Sequence, residues 1–302
     1  MPQASRQFAK RELESVREDI YRKDPRPLSG FELFPQRGEA IPDYKKYHVI
    51  RQYEMVGHSQ WIAEMGDDFP RADIVVDEDQ FNLRAHGCAY GFTDDEIAAA
   101  EDNNRDLRRK RGMAARRACR QRNNHAMFFG DTAVGLFGFI NFPGVPRVYF
   151  DNPINKNTGA GTIYNELTAF IDTIDEINQT LVSADVVCMP PEQFNHVRKR
   201  RFNAGSGDRI LGSIREAYSD AAGEPETEFR KIPELEGAGP DGEDVLIAFV
   251  DDSESFGHLL PRPFTQEPPE IDFPESVIKT HSKTGGMAAD QPLHMCIGIL
   301  PK

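Results

Sequence analysis

Histidine is the residue type to examine first for chemistry, because imidazole titrates near neutral pH and binds transition metals. The chain has eight histidines, and none forms the H-x-x-x-H or H-E-x-x-H pair that places two imidazoles on one helix face. There is no G-x-S-x-G sequence to hold a nucleophilic serine. Adjacent carboxylates, such as Asp67-Asp68 and Asp251-Asp252, are typical of turns and helix caps. The sequence therefore predicts neither a catalytic residue nor a metal site, and we expect that the protein is not an enzyme.

The cysteines and one glycine-rich run are the remaining candidates for reactive chemistry. Cys88, Cys119, Cys188 and Cys296 are widely spaced without a C-x-x-C pair, which is typical of buried, reduced thiols. Residues 159–162 (GAGT) have a sequence similar to part of a phosphate-binding loop, but no Gly-Lys-Ser/Thr follows and no strand pattern precedes them. We interpret the run as an ordinary loop and expect no cofactor. The alternative is a nucleotide-binding α/β enzyme. Saturable nucleotide binding by a monomer would support it.

Clusters of basic residues are the clearest binding signal. One lies within residues 108–122 and another at residues 198–201, and each could contact nucleic acid, an acidic neighbouring subunit or only solvent. Trp61, the one tryptophan, is either a packed side chain or a docking anchor. The candidates for inter-subunit or DNA contacts are Trp61, Arg108, Arg109, Arg111, Arg116, Arg117, Arg198, Arg200 and Arg201.

Composition limits the partners. The chain has 302 residues and a formal net charge of −13, which argues against a dedicated nucleic-acid-binding protein. The same charge is consistent with a container that must not grip an enclosed polyanion. Apolar runs are too short for a membrane-spanning helix, and the N-terminus lacks the apolar region of a signal peptide. We therefore expect a soluble protein that is made in the cytosol and has no membrane partner.

A long charged helix is the element that must position the first basic cluster. Residues 93–125 contain no proline and open with Thr93 and Glu96, the spacing of a capping box. Acidic residues occupy the first half and basic residues the second, which complements the helix dipole. Large apolar side chains are few, so the sequence predicts a spine helix with a narrow seam of small residues for packing.

The segments before this helix have an extended character. Residues 1–46 combine a short amphipathic pattern around residues 8–20 with a proline-broken stretch. We expect an arm that lies on a neighbouring copy, and a frayed terminus is the alternative. Residues 47–92 predict a β excursion, with strands at 47–53 and 59–64 and renewed alternation at 81–86. This excursion has too few apolar residues for its own core and must dock on something.

Helix and strand signals alternate after residue 154. A helix capped by Thr162 carries an apolar face from Ile163 to Leu181, and a strand at 185–189, helices from 190 and 208, and strands at 228–232 and 245–250 follow. The proline-rich tail predicts strands at 277–280 and 295–300, joined as a hairpin at Gly285-Gly286. We expect these late strands to pair with β segments next to the spine helix.

The order of these parts resembles the Hong Kong 97-like major capsid proteins of tailed bacteriophages. Four stretches carry the resemblance: YEMVGHSQWIAEMGDDFPRADI, then GFTDDEIAAAEDNNRDLRRKRGMAARRACRQRNNHAMFFGDTAVGLFGFIN, MPPEQFNHV and TGGMAADQPLHMCIGI. The resemblance implies an α+β fold with an N-arm at 1–46, an extended E-loop at 47–92, a peripheral domain at 93–154 and 259–302 with the spine helix at 93–125, and an axial domain at 155–258.

The resemblance also implies a function. The chain would be a virion protein that assembles in the host cytoplasm, as pentamers and hexamers, into an icosahedral head around double-stranded DNA. Scaffolding, decoration and portal proteins would be further partners, and the absence of a long segment before the arm favours a separate scaffolding protein or none. Because residues 47–92 contain no lysine, we expect no E-loop cross-link between Lys and Asn. An encapsulin-type nanocompartment, which encloses cargo protein instead of DNA, is the alternative.

Overall fold

A computed structural model describes residues 27–37, 41–58, 71–102, 107–179, 181–202, 208–219, 227–272 and 275–302. The helices are α1 Gly30–Leu33, α2 Asp94–Asp102, α3 Leu107–Phe129, α4 Ala160–Ile177, α5 Pro191–Lys199 and α6 Ile210–Ser219. The strands are β1 Tyr47–Val56, β2 Asp73–Asn82, β3 Arg84–Thr93, β4 Arg147–Tyr149, β5 Val186–Met189, β6 Glu228–Lys231, β7 Val245–Phe249, β8 Phe256–Leu259, β9 Arg262–Gln266, β10 Glu270–Asp272, β11 Glu275–Thr284, β12 Gly286–Ala289 and β13 Met295–Ile299.

The largest sheet has five strands in the order β4-β13-β7-β5-β6. Its central strands are buried along their whole length, and successive residues contribute to opposite sides of the core. Val186 and Cys188 belong to one apolar cluster, whereas Val187 and Met189 belong to the other. Helices α4, α5 and α6 cover one face, and α1 with the end of α3 covers the second. Burial on both faces explains why these strands read as continuous apolar runs.

A second sheet lies beside α3. Strand β11 pairs antiparallel with β3 over its full length and with β9 and β10, so the predicted pairing of a late strand with a segment next to the spine helix is confirmed. The predicted hairpin between the two late strands is wrong. Gly286, at φ +70°, leads instead into β12, which pairs with β8, while β13 enters the five-stranded sheet. The fully buried pattern of β13 suits that doubly covered position.

The five-stranded sheet joins segments that the sequence assigned to different domains. Strands β4 and β13 lie within the predicted peripheral segments, and β5, β6 and β7 lie within the predicted axial segment. The final strand hydrogen-bonds directly to β7 because both are apolar on both faces. The five-stranded sheet therefore crosses the predicted domain boundary. The division into a peripheral domain (residues 93–154 and 259–302) and an axial domain (residues 155–258) stays a prediction.

The predicted spine helix differs from the structure in its bounds. Residues 94–102 and 107–129 are helical, while residues 103–106 lie outside the described part of the chain. The helix continues past His125 to Phe129 because Ala126, Met127 and Phe128 are buried in the core. It ends at Gly130, whose φ of +65° and N–H to the Ala126 carbonyl (3.0 Å) form a left-handed cap.

The arm is only partly separate from the core. The amphipathic pattern at residues 8–20 and the strand expected at 59–64 lie outside the described residues. Residues 29–37, however, pack on their own chain, with Leu33 and Phe34 buried among the phenylalanines of the first cluster. The expectation that the whole of residues 1–46 lies on a neighbour is therefore wrong for this stretch, because two apolar side chains between prolines insert into the core.

The helix predicted at Thr162 is also shifted. Helix α4 begins at Ala160, after Gly159 as its N-cap, because Ala160 is itself buried against the second cluster. Its face from Ile163 to Ile174 is buried as predicted. Ile177 and Leu181, which continue the same period, are 39% and 85% exposed.

Candidate assembly surfaces

The hairpin formed by β1 and β2 exposes one whole face. Residues 47, 49, 51, 53 and 55 are exposed, whereas His48, Ile50 and Gln52 between them are partly or fully buried. We call the exposed side the outer face, and it combines these five residues with their partners on β2. Its members are Tyr47, Val49, Arg51, Tyr53, Met55, Ile74, Val76, Glu78, Gln80 and Asn82.

The distal part of the outer face is apolar. The register places Tyr53 opposite Val76 and Met55 opposite Ile74. These side chains are 66%, 51%, 86% and 57% exposed, respectively. Contiguous exposed apolar side chains are uncommon on monomeric proteins and mark sites that another molecule covers. The distal outer face is therefore the strongest candidate contact surface in the described chain.

The opposite face of the hairpin, which we call the inner face, is anchored near its base. Ile50 and Phe81 are buried there, and the Phe81 ring stacks on Phe142 with 6.2 Å between centroids. The Gln52 side-chain amide donates to the Asp290 carbonyl at 2.7 Å. These contacts fix the direction of the hairpin. The outer face is contacted at its base, where Asn82 donates to the Gly135 carbonyl, and its distal part is covered by no other described residue.

Sequence reasoning identified a strand at 47–53 but missed the outer face as a site. The signal was present in the alternation of Tyr47, Val49, Tyr53 and Met55 at period two. Such alternation normally places apolar residues on the core side of a sheet. Here it places them on the solvent side, as the burial of Ile50 and Phe81 on the opposite face shows.

Helix α3 packs through the predicted seam of small residues. Ala115, Cys119, Asn123 and Ala126 are buried at spacings of three and four residues. Asn123 makes the polar contacts of this seam: its Oδ1 lies 2.5 Å from His86 Nε2, and its Nδ2 donates to Ser282 Oγ at 3.2 Å. Burial lowers the pKa of His86, which keeps the ring neutral at this contact. The seam fixes which arginines of α3 face outward.

The arginines predicted on α3 have different environments. Arg111 forms a bidentate pair with Glu96 at 2.9 and 3.0 Å and also donates to the Gly91 carbonyl, so it holds α2 and α3 together. The Arg108 guanidinium lies 5.1 Å from the centroid of the Phe92 ring. Arg116 is exposed and forms no ion pair with a described residue. Arg109 is exposed and Arg117 is half-buried.

The second basic cluster is similarly divided. Arg200 donates to the carbonyls of Lys156 (3.0 Å) and Thr158 (3.2 Å) and thereby fixes the loop before α4. Arg198 and Arg201 are exposed at the end of α5. Trp61 lies outside the described residues. The structure thus leaves Arg116, Arg198 and Arg201 as the candidates whose side chains are exposed and form no ion pair with a described residue.

Within the described ranges, no group of three or more His, Cys, Asp or Glu side chains is placed to hold a metal ion. No helix in the described part of the chain is long and apolar enough to cross a membrane.

Three solved structures share this fold. The capsid of Myoviridae phage XM1 is similar with a TM-score of 0.83 at 14% identity, over 96% of this chain and 98% of that chain. Gordonia phage Cozz gives a TM-score of 0.65 at 13% identity, over 96% and 91%. The capsid of an empty GTA particle, computed with C5 symmetry, gives 0.66 at 10% identity over the whole of both chains. The expected α+β, Hong Kong 97-like capsid fold is confirmed, and none of these three structures is described as an encapsulin.

Sequence comparison agrees with the fold. Comparison with curated proteins finds no match. A family model described as Major capsid protein matches residues 57–297, which include β2, α3 and the five-stranded sheet up to the middle of β13. Because this match spans most of the chain, the protein belongs to the major capsid protein family.

Proposed function

We propose that this chain self-assembles as pentamers and hexamers into an icosahedral phage head around double-stranded DNA. It would assemble in the host cytoplasm and remain in the virion. The C5 symmetry used for the similar GTA particle supports a five-fold arrangement of such subunits. Scaffolding, decoration and portal proteins are the further partners that the family suggests.

The observation that carries this proposal is the outer face of the β1–β2 hairpin. Four apolar side chains there are each more than half exposed, and no other described residue of the chain covers them. Burying apolar surface contributes about 25 cal/mol per Å², so covering this face with a second copy stabilises an assembly. Obligate interfaces between identical subunits are large and apolar for this reason.

The exposed arginines supply a second, weaker kind of contact. Arg116, Arg198 and Arg201 are available for acidic neighbours or for phosphates of packaged DNA. With a net charge of −13, the chain as a whole repels DNA, so such contacts would be few and without sequence preference. Arg108, Arg111 and Arg200 are less suited, because they already contact their own chain.

No observation on this chain favours the encapsulin alternative. A nanocompartment would contain cargo protein and no genome, so the contents of purified particles separate the two functions. Neither the family nor the fold favours an enzyme, and the loop at 159–162 forms the N-cap and first turn of α4.

Assembly can be tested with a matched pair of variants. Val76 on the outer face and Val75 on the inner face are neighbours on β2 and are both 51% exposed. The chain and both variants are expressed alone and examined by size-exclusion chromatography and negative-stain electron microscopy. We expect shells or ring-like capsomers from the unmodified chain and from Val75→Asp, and small species from Val76→Asp, because a carboxylate would be desolvated in the contact.

Circular dichroism should show the same helix and strand content in both variants, so that a difference in assembly is not a difference in folding. A well-folded monomer from the unmodified chain at high concentration would contradict the proposed function. Normal assembly of Val76→Asp would contradict the role of the outer face.

A further inference from the structure

Two cysteines meet between α3 and the sheet beside it. The Sγ atoms of Cys88 on β3 and Cys119 on α3 are 3.9 Å apart. Cys88 is half-buried and its Sγ lies 3.3 Å from Thr280 Oγ1, while Cys119 is only 2% exposed. Both are free thiols. The two residues are far apart in the sequence, and no sequence motif predicted that they would be in contact.

The other two cysteines are arranged differently. Cys188 and Cys296 lie in the five-stranded sheet, and they belong to opposite apolar clusters. Burial raises the pKa of Cys296 to about 12 and raises that of Cys188 further, so neither forms a thiolate near neutral pH. These two residues therefore serve as internal controls for any oxidation of the folded chain.

We propose that Cys88 and Cys119 are a thiol–disulfide exchange site, which a small-molecule disulfide such as oxidised glutathione converts to an intrachain disulfide. A disulfide needs the sulfurs at about 2.05 Å, so the two atoms must approach by roughly 2 Å. Side-chain rotation supplies such a movement. Cys88 Sγ also lies 3.6 Å from the Ala115 carbonyl, so the thiol is already directed toward α3.

The exposure of the two thiols sets the order of the steps. The Cys88 thiolate attacks one sulfur of glutathione disulfide, which forms a mixed disulfide and releases one glutathione thiolate. Cys119 then loses its proton, and its sulfur attacks Cys88 Sγ and expels the second glutathione. One protein dithiol is oxidised, and one glutathione disulfide is reduced to two thiols. Burial and the adjacent Cys88 raise the pKa of Cys119, which suits the second role.

The bridge would join residues 31 positions apart and fasten α3 to β3. Cytosolic thiols are kept reduced, whereas disulfides persist outside the cell. If the proposed function holds, the bridge therefore forms after particles leave the host and adds stability to the released head.

The test uses the full chain, and its readouts report the state of the thiols whether or not the chain assembles. The folded chain is incubated with oxidised glutathione, remaining thiols are alkylated, and peptides are mapped by mass spectrometry. We expect one disulfide-linked peptide pair containing Cys88 and Cys119, with Cys188 and Cys296 still as thiols. The Tm should rise by about 5 °C over that of the reduced chain.

The variant Cys119→Ala is the control, because alanine suits a buried seam. Oxidation of this variant should stop at the glutathione mixed disulfide on Cys88, and its Tm should not rise. Recovery of Cys88 and Cys119 as thiols from the oxidised native chain, or a lasting mixed disulfide on Cys88 in that chain, would overturn the proposal. Both readouts use the unmodified protein, so they stand even if the variant does not fold.

Discussion

At the scale of single residues, charge alone does not distinguish structural arginines from those available to partners. Arg111 and Arg108 both belong to the basic half of the predicted spine helix, yet one pairs with Glu96 and the other stacks on Phe92. The Glu96 partner also completes the predicted capping box, in which Thr93 N and Glu96 Oε2, and Glu96 N and Thr93 Oγ1, are each 3.3 Å apart. The cap was predictable because it is local in sequence. The pair with Arg111 depends on how α2 and α3 are placed in space.

The variant Glu96→Gln isolates that pair, since glutamine keeps the capping hydrogen bond and removes the charge. The bond to Arg111 holds the pKa of Glu96 below its ordinary value of 4.5. A depressed folded-state pKa contributes stability above the unfolded pKa, and this stability is lost as the pH falls through the folded pKa. We therefore expect a small decrease in Tm at pH 7 that shrinks as the pH falls below 4.5 and vanishes once Glu96 is protonated in the folded protein.

Thermal unfolding of both proteins, from pH 7 down through the acidic range below pH 4.5, checks this expectation. An equal decrease in Tm at both ends would show that the loss does not come from the charge.

At the scale of elements, hydrophobic periodicity and the positions of glycine and proline predicted most helices and buried strands. They did not predict which elements pair with one another. The apolar face of α4 and the strand at 186–189 follow from sequence spacing alone. The tail was misjudged because Gly286 turns the chain toward β8, and a glycine pair by itself does not specify which strand comes next. The end of α3 was misjudged because its last turn is set by burial of Met127 and Phe128.

Gly130 is the residue that ends α3. A Cβ there would lie 2.4 Å from the Leu136 carbonyl oxygen, in a backbone conformation that disfavours other residues. We expect Gly130→Ala to lower the free energy of unfolding by at least about 2 kcal/mol, measured by urea denaturation.

Gly212 in α6 is the matched control, because a Cβ there would meet nothing within 4 Å. Gly212→Ala should raise the free energy of unfolding by up to about 1 kcal/mol. Equal effects of the two substitutions would argue against backbone conformation as the cause.

At the scale of the whole molecule, the described part of the arm belongs to the folded body. The Phe34 ring is 2% exposed and contacts Phe128, Phe139, Phe249 and Phe256. The Asn124 side chain accepts from Gly30 N at 2.8 Å and donates to Glu234, so α1 is also tied to α3. The proline-rich sequence predicted extended chain here, which is wrong at residues 30–33, where α1 forms, and it could not show that two side chains enter a core built from distant segments.

We expect Phe34→Ala to cost about 3–5 kcal/mol of the free energy of unfolding, because it leaves a cavity among aromatic rings. Guanidinium denaturation of the unassembled chain measures the loss. Tyr149→Ala is the control, since Tyr149 on β4 is 69% exposed and its removal should change stability by less than about 0.5 kcal/mol. A comparable change in both variants would mean that the arm contributes no more to the core than a surface residue does.

The position of β13 ties folding to the order of synthesis. This strand lies between β4 and β7, so the five-stranded sheet keeps a gap in its interior until residues 295–299 emerge from the ribosome. A chain whose translation stops earlier presents two unpaired strand edges, which favour aggregation and proteolysis. Termination before residue 295 should therefore yield fragments that aggregate or are degraded instead of folding.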